Sequence, residues 1–280
     1  MSSKKSAPAQ SRDAARNLAA TMRAEQAARE KRVKIITISA FGVAVAALVA
    51  AIIWAVIASR PVELPEPAPL ATPSVVNADG GISVGKDGAA GTVNEGAPVM
   101  DLYLDFMCVW CGVFEETNGA LVKQWREAGD VTVVYHPVAI LDHLSQGTAF
   151  STRSATAAFW IAEKAPAQFD AFIAAMFAAQ PDEKTKGLTD REIADIAKSA
   201  GVPAEVADGI AAQDAYKAHA AWVAAQTGTV GKNEKLWTDF PDGRRGFSTP
   251  TIVIGGEKFE GNWQTPGALR AAVDAAATNG

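Results

Sequence analysis

The chain is poor in the residues that build covalent and metal scaffolds. Its 280 residues hold two cysteines, Cys108 and Cys111, and three histidines, His136, His143 and His219. Two cysteines cannot staple a loop-rich scaffold or supply a four-cysteine zinc site. A C-x-x-C pair can be half of a mixed zinc site, but the histidines show no ligand-like spacing to one another. Basic charge is also scarce outside the N-terminus: residues 61–280 carry 16 Lys/Arg against 28 Asp/Glu, a balance of −12. A body of that sign excludes a nucleic-acid surface, which needs clustered Lys/Arg to displace counterions. No internal repeat is visible.

The first 34 residues have the opposite character, with nine Lys/Arg against three acids, Asp13, Glu25 and Glu30. Residues 1–34 are open to two readings, a solvated helix or a disordered segment. Their expected role is to orient the apolar stretch beside them. From Ile35 to Ser59, 25 residues carry no charge. Roughly 20 apolar residues cross a bilayer core as a helix, whereas the apolar part of a cleaved signal peptide is about 7–15 residues long. Residues 35–59 are therefore expected to be an uncleaved transmembrane helix; a cleaved signal peptide is the alternative. A buried core helix fits poorly, because the stretch has no polar face. Basic residues accumulate on the cytoplasmic side of such helices. This chain is thus predicted to be a single-pass cell-membrane protein with residues 1–34 in the cytoplasm and the remainder outside. That compartment permits disulfides.

Residues 60–97 are dense in Pro and then Gly and read as a linker, stiff in its first half and flexible in its second. Ile82–Val84 is a short strand candidate at its end. The globular body is expected over 98–280. Val99–Phe106 reads as a buried strand, Val113–Ala128 as a helix with Phe114, Leu121, Val122 and Trp125 on one face, and Val131–Tyr135 as a second strand. Strand, helix and strand make a βαβ unit with parallel strands. An Ala-rich block over 150–226 holds at least three helices. Pro166 suits a first turn, Thr189 with Glu192 a capping box, Gly201 a stop and Pro203 a new start. Lys232–Phe247 reads as a polar loop. Thr251–Ile254, a Gly255–Gly256 turn and Glu257–Phe259 form a hairpin, and Thr265–Pro266 opens a last helix through Ala277.

The chemistry is concentrated in Asp105–Glu116, DFMCVWCGVFEE, where C-x-x-C stands between a strand and a helix. At a helix N-terminus, free N–H groups and the helix dipole favour negative charge. A thiolate at Cys108 is thereby a better nucleophile or leaving group. One turn of helix brings the sulfur of Cys111 into bonding range, where it can attack a mixed disulfide at Cys108. An inert structural disulfide is the plainer alternative, and so small a loop gains little from it.

These residues resemble the DsbA-like branch of the thioredoxin superfamily. The resemblance rests on the strand–CxxC–helix segment, with Asp105 three residues before Cys108 as in many membrane-anchored bacterial members. It rests also on Ser248-Thr249-Pro250-Thr251 with the following strand and Gly255-Gly256, similar to the family's T-P-T/strand/N-G stretch. The third support is the 142-residue separation of Cys108 and Pro250, which the family fills with an inserted helical domain. The implied fold is α/β: a thioredoxin domain over 98–280 with a helical insertion at about 145–240, preceded by one transmembrane helix. The resemblance covers about 98–278.

The resemblance implies a cis Thr249–Pro250 bond facing the cysteines and offering an open backbone edge to an extended substrate; a routine strand-start proline is the plainer reading. It implies an extracytoplasmic thiol–disulfide oxidoreductase that oxidises cysteine-containing exported proteins through Cys108 and Cys111. A quinone-linked membrane partner would reoxidise it, and neither metal nor organic cofactor is implied. The chain departs from the strongly oxidising members in its dipeptide: they carry Pro-His, and here stand Val109–Trp110, which cannot stabilise a thiolate by charge. Trp110 is either an apolar contact for substrate or membrane partner, or a partly packed aromatic. Asp105 is either a proton carrier for Cys111 or a solvated strand-end acid. His136 reads as structural and Arg244–Arg245 as solvated. Two alternatives stand beside an oxidase: a reductase or isomerase of the same site, and a non-catalytic binding module of the same fold.

Overall fold

The computed structural model describes residues 7–58 and 62–279. Lys4 and Lys5 of the basic segment, and the boundary at 59–61 between the expected span and linker, lie outside the described residues. The chain divides into two units between Arg60 and Pro61. The first is a single helix, α1 (Ala7–Ala58). Within it Arg29–Ile53, whose most apolar 18 residues have a mean hydropathy of 2.6, is long and apolar enough to cross a membrane. This stretch overlaps the expected span. The basic segment is helical from Ala7 onward, in keeping with its many alanines.

The strand expected at Ile82–Val84 is present. The expected linker does not run to residue 97. Ile82–Val84 is strand β1, fully buried at Ile82 and Val84, and it pairs antiparallel with a later strand. The glycines and prolines around it serve turns rather than freedom. The Asn77 side chain accepts from the amides of Asp79 and Gly81. The buried Asn94 accepts from Lys86 and donates to the carbonyls of Arg126 and Val131. Ser74 and Ala68 bond to Glu163 and Lys217. A free tether leaves its polar backbone to water; this one has protein partners.

Next come β2 (Val99–Leu104), α2 (Val109–Phe114), a π-helical turn (Glu115–Gly119), α3 (Ala120–Ala128) and β3 (Thr132–Pro137). The single helix predicted over 113–128 thus begins earlier and carries a wide turn. That turn adds one residue and changes the phase. A regular 3.6-residue period would set Leu121 beneath Phe114. Instead Asn118, Val122 and Arg126 are buried in line with Phe114, and Leu121 is exposed. Gly129, at φ 87°, closes α3 in the left-handed region that glycine adopts without strain. Arg126 then binds the Gly85 carbonyl and, at 2.9 Å, Asp170 Oδ2, joining α3 to the β1 region and to the helical insertion.

The insertion has five helices: α4 (Phe150–Lys164), α5 (Phe169–Ala178), α6 (Asp190–Ser199), α7 (Ala204–Ala211) and α8 (Asp214–Lys232). The Thr189–Glu192 capping box is formed, and Pro203 is the N-cap of α7. The segment predicted as a loop over Lys232–Phe247 is a second correction. It forms a hairpin of β4 (Trp237–Asp239) and β5 (Arg245–Phe247), with Trp237 opposite Phe247. Arg245 lies over the Trp237 ring at 5.4 Å and pairs with Glu234 and Asp239, and Arg244 pairs with Asp242. Both arginines are exposed, in keeping with the solvated reading, and their ion pairs lie on the hairpin surface.

The chain closes with β6 (Thr251–Ile254), β7 (Glu257–Lys258) and α9 (Ala268–Asn279). The main sheet has the order β1-β3-β2-β6-β7. β2 and β3 run parallel, as the βαβ reading requires, and β6 is antiparallel to β2. The register decides where the site lies. Tyr103 pairs with Thr251, so the end of β2 and the start of β6 meet. Residues 105–108 and 249–250, far apart in the chain, emerge side by side.

Candidate active site

Cys108 is the N-cap of α2, with φ −74° and ψ 112°. Its amide donates to the Asp105 carbonyl at 3.0 Å, and its carbonyl accepts from Cys111 at 2.9 Å and Gly112 at 3.3 Å. The loop and the first helical turn are thus fixed around this one residue. Both cysteines are free thiols and both are buried. Cys108 is 4% exposed and Cys111 is fully enclosed.

The Thr249–Pro250 peptide is cis, as the resemblance implied. Cys108 Sγ donates to the Thr249 carbonyl at 3.2 Å. The Cys108 thiol is lowered from an ordinary value of 9.0 to about 7. The largest cause is the hydrogen bond from the Cys111 thiol; the Thr249 side chain and the amides of Cys111 and Trp110 add to it, against the opposing effect of burial. The Thr249 hydroxyl has no partner of its own and is buried. It stands ready as a donor for sulfur once that sulfur carries charge. Cys111 moves the other way, well above 9.0, because burial disfavours its thiolate and the neighbouring Cys108 reinforces this. Two thiols one turn apart therefore differ in kind: one ionises near neutrality and one stays protonated.

Asp105 is no solvated acid. It is fully buried, and Oδ1 accepts from the Met107 amide at 2.8 Å and Ser151 Oγ at 2.7 Å, Oδ2 from the Leu141 amide at 2.9 Å. Burial lifts its carboxyl from 3.8 to about 6, against the lowering by those three hydrogen bonds. Its backbone amide also serves the Cys111 sulfur. Val109 and Trp110 point outward, 50% and 55% exposed, so the dipeptide between the cysteines forms an apolar rim and Trp110 is not packed away. His136 lies off the site, bonded to Asp101 at 2.9 Å and stacked on Tyr103. Among the described residues, no group of three or more His, Cys, Asp or Glu could hold a metal ion.

Sequence reasoning missed the contribution of the insertion. Phe177 stacks on Phe106 at 5.0 Å. Gln180 Nε2 donates to the carbonyls of Phe106 at 3.0 Å and Cys108 at 2.8 Å. A Cβ at residue 112 would collide with Gln180 Oε1, so Gly112 gives that side chain its room. Ser151 holds Asp105 from α4. Gly112, directly after the second cysteine, is the only local signal of this close approach.

A thioredoxin family model matches residues 89–275. No curated relative matches by sequence. An oxidised DsbA from Mycobacterium tuberculosis is 28% identical, with a TM-score of 0.53 over 71% of this chain and 98% of that one. MdbA, a thiol-disulfide oxidoreductase from Actinomyces oris, is 25% identical, with a TM-score of 0.56 over 73% and 92%. BdbD from Bacillus subtilis, at 19% identity and a TM-score of 0.52 over 76% and 100%, shares the fold. With its strand–CxxC–helix site, its insertion and its cis proline, the chain belongs to the thioredoxin family as a DsbA-like thiol–disulfide oxidoreductase.

Proposed function

We propose that this protein forms disulfides in exported proteins, working outside the membrane from a single N-terminal anchor. The observation that carries the reading is the division of labour between the thiols, with Cys108 ionising at about 7 and Cys111 held protonated by burial. In the oxidised enzyme a substrate thiolate attacks Cys108 Sγ. The Cys108–Cys111 bond breaks, and Cys111 leaves and takes up a proton. A second substrate thiolate then attacks the substrate sulfur of the mixed disulfide and releases Cys108 as a thiolate. The substrate has lost two electrons and the cysteine pair has gained them. Thr249 and Pro250 border the sulfur and serve as the platform for the substrate segment. Val109 and Trp110 offer it an apolar contact. Asp105 positions the loop, and with a carboxyl near 6 it is the candidate proton carrier for Cys111. A quinone-linked membrane oxidoreductase reoxidises the pair.

A stabilised thiolate favours the reduced enzyme and so makes a stronger oxidant. Cys108 at about 7 is stabilised less than in the strongest oxidants of this fold, whose thiols ionise near about 3.5. A value of about 7 matches that of thioredoxin, so thiolate stability by itself puts the couple nearer to about −270 mV, the thioredoxin end, than to the about −120 mV of the strong oxidants. The test is equilibration of the full chain, in detergent, with glutathione buffers, together with oxidation of a reduced, unfolded test protein. Oxidation that Cys108→Ser abolishes, with covalent complexes accumulating in Cys111→Ser, is the expected result. A couple at or below the thioredoxin value would replace this reading with a reductase of the same chemistry. The topology rests on the basic leader and the apolar span. Protease outside intact spheroplasts should digest the body and spare the N-terminal segment.

A further inference from the structure

The helical insertion touches the redox turn at three successive points, and the third has a different character from the others. Phe177 packs on Phe106 and Gln180 grips the carbonyls of Phe106 and Cys108; both are neutral contacts. Glu183, three residues further on and half-buried, accepts a hydrogen bond from the Val109 amide at 3.2 Å. Of the three amides after Cys108, those of Trp110 and Cys111 serve its sulfur. The remaining one, Val109 N–H, is turned to a carboxylate. Val109 N is four covalent bonds from Cys108 Sγ, so that carboxylate stands within several ångströms of the atom that must carry charge in the reduced enzyme. Cys111 and Asp105 flank the same turn.

We propose that Glu183 is a redox-tuning residue, supplied by the insertion, whose carboxylate opposes the Cys108 thiolate and holds the couple less oxidising than the bare CxxC turn would be. The physical step is simple. A carboxylate on the first amide of α2 suits the helix dipole and costs nothing while Cys108 is a disulfide. When the pair accepts two electrons and Cys108 is left as a thiolate, the two anions repel. The oxidised form is favoured and the potential falls. The insertion is thus the element that sets poise, and Val109–Trp110 leaves that role to it by carrying no charge of its own. This inference rests on Cys108–Cys111 being the working couple.

Glu183→Gln keeps an acceptor for Val109 N–H and removes only the charge. Thiolate absorbance of the reduced full chain should show the Cys108 midpoint falling by about half a unit to one unit in the variant. At pH 8, equilibration with glutathione should show the constant for reduction of the couple rising about threefold to tenfold, where tenfold corresponds to about 30 mV. In 1 M salt, where charges are screened over about 3 Å, wild type should approach the variant. The wild-type potential judges the oxidase reading; only the difference between wild type and E183Q judges this one. A variant equal to wild type in both midpoint and constant, or displaced the opposite way, overturns it. So does a displacement that salt leaves untouched, because a merely structural change would behave that way.

Discussion

Replacing Thr249 by valine should weaken the enzyme as an oxidant while making it more stable. The hydroxyl of Thr249 is buried and lacks a partner in the dithiol, and an unpaired buried hydroxyl costs about 1–3 kcal/mol. Valine fills nearly the same volume without that cost, so the oxidised variant should gain about 1 kcal/mol in urea unfolding. The thiolate loses a donor. The whole lowering of Cys108, from 9.0 to about 7, is worth about 3 kcal/mol at about 1.4 kcal/mol per unit. Cys111 contributes most of it and the Thr249 side chain a smaller share. Loss of that share should raise the midpoint to about 7.5–8, which at pH 8 lowers the equilibrium constant for reduction about threefold to fivefold, or about 15–20 mV. Below pH 6 the two proteins should have the same potential, since neither then holds a thiolate. Thiolate absorbance and glutathione equilibration read these quantities directly. A variant with an unchanged Cys108 midpoint, or one less stable than wild type, would refute the assignment of the hydroxyl.

Asp105→Asn tests the buried carboxyl. Its folded value, about 6, exceeds the ordinary 3.8, so the stability it contributes is complete below about pH 3.8 and is lost as pH rises through about 6. The shift corresponds to about 3 kcal/mol. With both proteins oxidised, the variant should therefore gain about that much relative to wild type between pH 4 and pH 7, and parallel pH curves would contradict the burial argument. Arg126→Ala should cost about 3–5 kcal/mol in urea unfolding, because it strands Asp170 and the Gly85 carbonyl. A loss below about 1 kcal/mol would mean that the arginine does not join the β1 region to the insertion.

What the sequence made legible was local. Cys108, Cys111 and the start of α2 are neighbours in the chain, so their arrangement follows from strand, turn and helix signals alone. β3 announces itself by β-branched residues, and the Thr189–Glu192 cap by its spacing. Gln180, Glu183 and Ser151 were not legible. They are ordinary polar residues in a long insertion, and they reach the cysteines only through tertiary packing. The order at 82–97 is hidden for a related reason. Its Pro and Gly content matches that of a linker, while the side chains that order it, Asn77 and Asn94, give no signal until their partners are known. The phase of α3 was hidden because one extra residue in the π-helical turn redirects every side chain after it.

A protein that handles extended, unfolded chains runs the risk of recruiting them as extra strands along its own sheet, because unpaired backbone amides template such growth. This sheet offers little to copy. Its outer members, β1 and β7, are three and two residues long, and the segment before β1 folds back on it through the Val76–Ile82 bridge. With its margins so short, the sheet leaves the turn at Thr249–Pro250 beside the Cys108 sulfur, the substrate platform proposed above, as the place where an extended chain would find open backbone.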